Sequence, residues 1–384
     1  MILVLADDFS GAAEMAGMAH FLGCSAEVQT APHQSSSSQV VAIDTHTRGL
    51  SRQEAALKLE GMIPAIQRMQ ASWVFKKVDS VLRGHVLRET ETIMHGLGLG
   101  SGVIISANPS KKRVIRGGEY FIEETPLHQT LFARDPVFPA KTSDVMKLLG
   151  ASDALNILSS QDPKDLDAMK GLLVPDVSSK EDVRQWARHL PVQTLAVGGV
   201  DFFNALLRHR NRGDMVNRHT QTIKPPLTQL LVCGSFAAME SGRRSQCQEK
   251  GWPVHVIPFE WLMSNDSILP EVWCENVKRD MQLSGRCMVG VATDLKEPVK
   301  DPSRPAQRLV EAVGQLCQAC PVDQILVEGG ETAYLLMQFF NRDRFHVTHS
   351  SREGIPALVP VGMESLSIVP KPGSYSWPNE FLDA

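Results

Sequence analysis

The sequence of 384 residues has no long apolar run, and this absence excludes a membrane-spanning segment. A transmembrane helix needs about 20 consecutive apolar residues, and no stretch of the chain approaches that length. The short apolar start, residues 1–6, has no basic segment before it and is followed at once by two aspartates, so we expect no signal peptide. We therefore expect a cytoplasmic protein without a membrane partner.

The chain also lacks an excess of positive charge and the pattern of a disulfide framework. Its 39 Lys and Arg residues are outnumbered by 43 Asp and Glu residues, whereas a nucleic-acid-binding protein usually carries a basic excess. The seven cysteines are odd in number and scattered. One CxxC pair, Cys317 and Cys320, has no second pair nearby to complete a zinc site. We expect no nucleic-acid partner and no structural zinc.

Aromatic residues are scarce, at 6%, while 28 Gly and 23 Pro are typical of an α/β enzyme with many short loops. Apolar strand-like runs alternate with helix-like segments, which predicts parallel sheets covered by helices. A polar, proline-rich break at 211–228 predicts two domains, residues 1–218 and 228–384. We predict an α/β fold in which each domain is a mainly parallel sheet flanked by helices, with the active site in the interdomain cleft. The predicted strands are 2–6, 39–44, 73–78, 102–106, 192–197, 229–233, 253–258, 286–292 and 324–327, and the predicted helices start at 10, 52, 306 and 332.

Polar motifs follow several of these strands, where ligands of open α/β sheets bind. Asp7 and Asp8 follow the first strand and could bind a polyol, hold a cation or act as a base, although one could also be a helix N-cap. Arg48, in Asp-Thr-His-Thr-Arg after the second strand, could clamp a carboxylate or be an exposed loop arginine. These motifs alone leave both interpretations open.

A denser charged segment lies at residues 75–84, at the end of the third strand. Two lysines, an aspartate, a serine and an arginine fall within eight residues, which is costly at a sheet edge unless an anion binds there. The alternative is a solvated run of charges. A basic loop at 108–118 could likewise bind phosphate or carboxylate, or be a surface turn.

The second domain has glycine turns rather than charged motifs after its strands. A Gly-Ser pair at 234–235 ends one strand, and a Gly-Gly pair at 329–330 precedes a helix. A glycine turn at a helix N-terminus lets backbone N–H groups approach phosphate oxygens. Neither a Walker A motif nor a G-x-G-x-x-G fingerprint in a βαβ context is present. Any nucleotide site therefore has another architecture.

Taken in order, these motifs resemble those of the four-carbon acid sugar kinase family. They are Asp-Asp-Phe-Ser-Gly-Ala, Asp-Thr-x-x-Arg, Lys-Lys-x-Asp-Ser-x-Leu-Arg-Gly, Gly-Ser, Gly-Gly-Glu-Thr-Ala and a late Lys-x-Gly. The resemblance implies ATP-dependent phosphorylation of the terminal hydroxyl of a four-carbon sugar acid, first of all D-threonate. D-erythronate, L-threonate and 3-oxo-tetronate are the other implied substrates. It also implies that the first domain binds the sugar acid and the second binds ATP.

The same resemblance implies roles for individual residues. Asp8 and Asp79 are the candidate catalytic bases, between which the sequence does not choose. The implied substrate-binding residues are Asp7, Arg48, Lys76, Lys77, Asp79, Ser80 and Arg83. The implied ATP-binding residues are Ser235, Gly329, Gly330, Glu331, Thr332 and Gly373. Mg²⁺ is expected on the ATP phosphates, the sequence identifies no ligand residue for it, and a homodimer is a candidate assembly.

Two departures from the family pattern bear on this expectation. The usual Gly-Arg-Thr appears as Ser110-Lys111-Lys112-Arg113, and Pro372 removes a backbone donor from the late motif. A non-catalytic relative that binds sugar acid or nucleotide is therefore one alternative. A sugar-acid aldolase, using Lys76 or Lys77 as a Schiff-base lysine, is another.

Overall fold

The chain forms two compact units, Met1–His219 and Thr220–Ala384. The structure is a computed structural model that describes residues 1–135, 137–152, 157–158, 162–167, 170–210, 226–234, 239–266, 268–291, 304–372 and 376–382. Within these ranges, no helix is both long enough and apolar enough to cross a membrane. The predicted placement of the active site in an interdomain cleft stays a prediction.

The N-terminal unit contains one large parallel sheet, a small antiparallel sheet and the helices around them. Its strands are β1 (Ile2–Ala6), β2 (Ala26–Gln29), β3 (Val40–Asp44), β4 (Trp73–Lys77), β5 (Ser101–Ile105), β6 (Arg113–Arg116), β7 (Glu119–Ile122), β8 (Thr125–Pro126), β9 (Ile157–Leu158), β10 (Gly171–Leu173) and β11 (Leu195–Gly198). Its α-helices are α1 (Phe9–Phe21), α2 (Arg52–Arg68), α3 (Val86–Leu97), α4 (Val145–Leu149), α5 (Lys180–His189) and α6 (Val200–Arg210). Short 3₁₀ helices occupy Pro109–Lys111, Leu127–Gln129, Leu131–Arg134 and Pro163–Asp167.

The large sheet of this unit has the order β2-β3-β1-β4-β11-β5-β10-β9 with every pair parallel. Strands β1 and β3 are buried along their whole length, as expected for a parallel sheet covered on both faces. After β1 the chain continues to β2 at one edge of this sheet, and after β4 it continues to strands on the other side, toward β9. The switch point therefore lies between β1 and β4, where ligands of such sheets bind.

The C-terminal unit contains a second, mixed sheet with helices. Its strands are β12 (Gln229–Cys233), β13 (Val254–Val256), β14 (Arg286–Gly290), β15 (Gln324–Glu328), β16 (Arg344–Ser350), β17 (Pro356–Pro360) and β18 (Ser367–Lys371). Its α-helices are α7 (Arg244–Glu249), α8 (Phe259–Met263), α9 (Glu271–Ser284), α10 (Arg304–Ala319), α11 (Gly330–Phe339) and α12 (Asn379–Leu382), with a π-helical turn at Met239–Arg243.

Strands β13-β14-β12-β15-β18 of the second sheet are parallel, and β17 and β16 extend it antiparallel. Because the chain leaves β12 toward one edge and β15 toward the other, this switch point lies between β12 and β15. The prediction of mainly parallel sheets flanked by helices is confirmed in both units. The predicted set of strands did not include β16, β17 or β18.

Strand and helix positions predicted from the sequence differ from the structure by at most three residues, and strands β1 and β12 have the predicted bounds. The largest shift is at β11, which was predicted to begin at Val192 and begins at Leu195. Val192 is exposed in the preceding turn, so its apolar side chain belongs to a loop rather than to the buried strand. Apolar character alone does not separate these two cases.

Candidate active site

A bidentate ion pair occupies the switch point of the N-terminal unit. Asp7 follows β1 and is buried, and its two carboxylate oxygens accept hydrogen bonds from Nε and Nη2 of Arg48, each at 2.8 Å. The Asp7 carbonyl also accepts the backbone N–H of Arg48 at 3.1 Å. Burial opposes ionisation, but the charges of Arg48 and Lys76 outweigh it and hold the pKa of Asp7 below its usual range. Arg48 thus binds a carboxylate through two hydrogen bonds, but this carboxylate is the side chain of Asp7 and not a ligand.

Asp8, the second aspartate of the motif, is the N-cap of α1 and a partner of the same arginine. Its Oδ1 accepts the N–H of Gly11 at 2.9 Å, and its Oδ2 accepts Ser10 Oγ at 2.7 Å and Arg48 Nη1 at 2.7 Å. Its side chain is 21% exposed, compared with 3% for Asp7. The two roles considered for Asp8, N-cap and functional carboxylate, are compatible because one oxygen suffices for the cap.

The loop after β4 is organised around Asp79. Its carboxylate accepts the N–H groups of Val81 and Arg83 and also Nε and Nη2 of Arg83, at 2.9 to 3.2 Å. Burial would raise the pKa of Asp79, but Arg48 and Arg83 together hold it well below its usual range. Arg83 donates its remaining Nη1 to Asp135 at 2.9 Å. Asp79 is therefore an ionised carboxylate that fixes the position of Arg83.

Ser80, the next residue of this loop, is held from the small antiparallel sheet. Its hydroxyl accepts Nη1 of Arg113, which lies at the start of β6, and its carbonyl accepts the hydroxyl of Tyr120 on β7. The guanidinium groups of Arg83 and Arg113 lie 5.6 Å and 5.5 Å from the ring centroid of Phe132. Arg113, which the sequence analysis placed in the basic loop 108–118 but not among the substrate-binding residues, therefore lies beside the predicted site residues.

The two consecutive lysines of β4 point to opposite faces of the sheet. Lys76 is fully buried, with Nζ 2.6 Å from Oε2 of Glu89 on α3. Lys77 Nζ lies 3.5 Å from Oε2 of Glu14 on α1 and donates to the carbonyl of Val78 at 2.9 Å. Each ammonium group therefore faces a glutamate carboxylate, as structural lysines usually do.

A buried carboxyl that the sequence analysis did not select lies at the end of β3. Asp44 Oδ1 accepts the N–H of His46 at 2.7 Å, while its Oδ2 is buried without a hydrogen-bond partner among the described residues. Burial, reinforced by the negative charges of Asp8 and Asp7, raises the pKa of Asp44 to about 8. Asp44 is the first residue of the Asp-Thr-His-Thr-Arg motif, but five residues of sequence do not show that its carboxyl group is buried.

The basic loop after β5 is tied down by side-chain contacts. The backbone N–H and hydroxyl of Ser110 both donate to Asp201 at the start of α6, at 2.8 Å and 2.7 Å. Lys111 Nζ reaches Glu14 at 2.8 Å, while Lys112 is exposed and pairs with Glu123. The segment that departs from the family pattern is therefore a fixed loop in which both lysine charges are paired.

The C-terminal switch point presents backbone rather than charged side chains. Gly329 has φ of 118°, a conformation that favours glycine, and it leads into α11, whose N-terminus has no side-chain cap. At the end of β12, a Cβ on Gly234 would lie 2.0 Å from Oγ1 of the buried Thr332. Glu331 is exposed on the first turn of the helix. This arrangement leaves uncapped amides and a dipole for an anion.

Beneath this turn lies a buried charge cluster centred on Glu328. Its carboxylate accepts Nε and Nη2 of Arg243 at 2.8 and 3.0 Å, and Lys371 Nζ at 2.7 Å. Trp377 Nε1 donates to it at 3.3 Å, and the Gly329 N–H donates to the Lys371 carbonyl at 3.0 Å. Burial lowers the pKa of Lys371, although Glu328 opposes the shift. The cluster fixes the ends of β15 and β18 and carries one surplus positive charge.

Two predicted ATP-binding residues, Ser235 and Gly373, lie outside the described residues. In the part of the chain that the structure describes, no group of three or more His, Cys, Asp or Glu side chains is placed to hold a metal ion. The predicted roles of all these residues in substrate or nucleotide binding stay predictions.

Comparison with known proteins identifies the family to which the chain belongs. Residues 2–206, more than half of the chain, match the family model described as Sugar-binding N-terminal domain. The chain belongs to this sugar-binding N-terminal domain family. The matched residues include every predicted substrate-binding residue, and Arg113 as well. The resemblance to four-carbon acid sugar kinases is confirmed by the relatives described next.

Curated relatives carry kinase names at modest identity. A D-threonate kinase of Bordetella bronchiseptica is 29% identical over 201 residues, 49% of this chain and 49% of that protein. A D-threonate kinase of Salmonella typhimurium is 27% identical over 53% of each chain, so these matches span about half the length of the relatives. A 3-oxo-tetronate kinase of Brucella melitensis is 23% identical and aligns over 99% of this chain and 94% of that one.

Solved structures share the fold of the whole chain. A crystal structure from Salmonella typhimurium LT2 superposes with a TM-score of 0.78 at 18% identity, covering 100% of this chain and 97% of that one. A Bordetella bronchiseptica structure, a domain-swapped dimer with bound citrate, has a TM-score of 0.50 at 21% identity, covering 99% and 96%. At such identities the likeness shows the fold alone.

Proposed function

We propose that the protein is an ATP-dependent kinase that phosphorylates the terminal hydroxyl of a four-carbon sugar acid, with D-threonate as the first substrate to test. The observation that carries this proposal is the cluster of Asp7, Asp8, Arg48, Asp79 and Arg83 at the switch point of the sugar-binding unit. The kinase names of the relatives support the reaction class. D-erythronate, L-threonate and 3-oxo-tetronate follow as alternative substrates.

The sugar-acid site would consist of groups already fixed before the ligand binds. Asp79 holds Arg83, and Asp7 holds Arg48, so the donors and acceptors around the ligand do not need to reorganise. The hydroxyl of Ser80 and the partly exposed carboxylate of Asp8 would contact the hydroxyl groups of the ligand. A short polyol acid needs this mixture of acceptors and cations.

Between the two candidate bases, the contacts favour Asp8. Asp79 is buried, and its hydrogen bonds all go to its own loop, which is the pattern of a positioning residue. Asp8 is more exposed and needs only one oxygen for its cap interaction. In the proposed mechanism, Asp8 accepts the proton of the attacking hydroxyl late in phosphoryl transfer, while Asp79 keeps Arg83 in place.

The nucleotide site would be at the C-terminal switch point. The glycine turn at Gly329, the backbone amide of Gly330 and the first turn of α11, which includes Glu331 and Thr332, fit a phosphate group because the turn leaves room and the helix N-terminus is uncapped. From the resemblance, Ser235 and Gly373 would complete the ATP site. Mg²⁺, when bound, would be held mainly by ATP phosphates and water and would neutralise their charge.

The domain-swapped dimer of the Bordetella bronchiseptica relative supports a homodimer as the assembly. Light scattering after gel filtration measures the molecular mass of the assembly directly. A monomeric mass across the working concentration range would contradict the dimer without touching the kinase proposal.

The kinase proposal is tested by ATP consumption with a panel of four-carbon acids, namely D- and L-threonate, D- and L-erythronate and 3-oxo-tetronates. We expect turnover with at least one member, and ³¹P NMR should show a new phosphomonoester. Folded protein that binds ATP but consumes none with any acid would contradict the proposal and favour a non-catalytic relative. Borohydride trapping of substrate on a lysine would instead indicate an aldolase.

A further inference from the structure

The cations around the candidate sugar-acid site differ in whether the protein already neutralises them. A substrate carboxylate binds best to a cation that has no carboxylate partner, because it then displaces only water and adds no like-charge repulsion. The paired cations are Arg48 with Asp7 and Asp8, Lys76 with Glu89, Lys77 and Lys111 with Glu14, and Arg83 with Asp79 and Asp135.

Arg113 is the exception in this group. Its Nη1 donates to the Ser80 hydroxyl, and its guanidinium lies 5.5 Å from the ring centroid of Phe132. No carboxylate within the described residues lies within 4 Å of its guanidinium nitrogens. A guanidinium has five N–H donors, so one bond to Ser80 leaves donors for a ligand. Because Arg113 is half-buried, its electrostatic attraction to a bound carboxylate is stronger than that of an exposed arginine.

We propose that Arg113 binds the carboxylate of the sugar acid and thereby makes the enzyme select acids over neutral polyols. The proposal rests on the kinase function proposed above and names the residue that would recognise the anionic end of its substrate. A guanidinium can hold a carboxylate through two parallel hydrogen bonds, which fix the orientation of the bound molecule and neutralise its negative charge. The neighbouring Ser80 hydroxyl, which now accepts from Arg113, would be available to a substrate hydroxyl.

The position of Arg113 is fixed by contacts on both sides. Its backbone N–H donates to the carbonyl of Asn108, and its carbonyl accepts the N–H of Asn108, at 3.1 and 2.9 Å. Asp201 anchors the same loop through Ser110 and donates its own N–H to Asn108 Oδ1 at 3.2 Å. A preorganised cation loses little conformational entropy when its ligand binds.

Arg48 and Arg83 are weaker candidates for the same role. A carboxylate that approached Arg48 would face two aspartates whose oxygens already use its Nε, Nη1 and Nη2. Arg83 likewise donates to Asp79 and Asp135. Either arginine would have to exchange an internal carboxylate for the substrate, which yields little net interaction.

The test compares Arg113→Gln with Arg116→Gln, a matched control on the same strand. Arg116 is exposed and pairs with Glu124, so its removal should leave activity at the wild-type level. Each protein is assayed with the preferred sugar acid and with its neutral amide, and the KM for ATP is measured in parallel. For Arg113→Gln we expect kcat/KM to fall about 100-fold for the acid and less than about threefold for the amide, with the KM for ATP unchanged.

The outcomes separate this inference from the kinase proposal. Wild-type turnover of an acid together with a less than threefold loss in Arg113→Gln would overturn the inference and leave the kinase function intact. Absence of turnover by folded wild-type protein with every acid would overturn both. Arg113→Lys guards against a folding defect, because it keeps the charge. In a folded Arg113→Lys protein we expect an intermediate loss confined to the acid, and equal losses for acid and amide would contradict the inference.

Discussion

The two switch points of this molecule present different chemistry at the same topological position. In the N-terminal unit, aspartate, lysine and arginine side chains follow the ends of β1, β3 and β4 and form ion pairs. In the C-terminal unit, the ends of β12 and β15 carry glycines and an uncapped helix N-terminus, with the charges of the Glu328 cluster buried beneath. The same sheet position thus offers side chains in one unit and backbone in the other.

This difference matches the chemistry of the two proposed ligands. A four-carbon acid is small and has hydroxyl groups of defined stereochemistry, so its recognition needs individually placed side chains. A phosphate chain has many equivalent oxygens, which backbone amides and a helix dipole can bind without side chains. The comparison predicts that substitutions in the first unit change acid recognition, and that substitutions in the second change ATP recognition or stability.

The largest effect on turnover is expected from Asp79→Asn. Because the pKa of Asp79 is held below its usual range, the residue is ionised at neutral pH, and the substitution removes a charge and frees Arg83. We expect turnover to fall about 100-fold or more while the protein still folds, as judged by circular dichroism. Glu181→Gln, which removes a charge at an exposed position of α5, is the control and should keep full activity. Turnover by folded Asp79→Asn at the wild-type level would remove Asp79 from the site.

Removing the buried charge at the centre of the second unit should affect stability rather than specificity. Glu328→Gln leaves Arg243 and Lys371 without their shared carboxylate, which is expected to cost about 3–5 kcal/mol. Urea unfolding measures this loss, and Glu331→Gln, an exposed neighbour on α11, should cost less than about 0.5 kcal/mol. Similar stabilities for the two variants would show that the cluster is not a structural centre.

A bulky side chain at the glycine turn should act on ATP alone. Gly330→Val places a branched side chain at the first residue of α11, where the proposed phosphate approaches the backbone. We expect the KM for ATP to rise about tenfold and the KM for the sugar acid to change less than about twofold. Equal increases for both substrates would indicate a folding defect instead of a local nucleotide site.

The last expected effect is a pH-dependent gain of stability in Asp44→Asn. The carboxyl of Asp44 loses its proton near pH 4 when unfolded but keeps it to about pH 8 when folded, so its contribution to stability is lost as the pH rises through this range. Asparagine does not titrate. The melting temperature of Asp44→Asn relative to wild type should therefore increase between pH 5 and pH 8, and a constant difference would contradict the buried neutral acid.

The sequence predicted the sheets and the location of the polar motifs, but not how the charges pair. Periodicity and position after a strand are local properties, so strands β1 and β4 and the position of the Asp-Asp motif directly after β1 were predicted correctly. The partner of Arg48 lies 41 residues away, and Glu328 joins residues 85 and 43 positions distant. Such pairings depend on which strands become neighbours. For the same reason the sequence could not distinguish Arg113, which has no carboxylate partner in the described chain, from the paired arginines.

The division of ligands between the two switch points is tested most directly by hydrogen exchange with each ligand added separately. We expect D-threonate, or whichever acid is turned over, to slow exchange at residues 78–84 and 108–116. A non-hydrolysable ATP analogue should instead slow exchange at residues 329–334. Protection of both regions by each ligand alone, or protection of 329–334 by the acid, would contradict the assignment of the acid to the first unit and of ATP to the second.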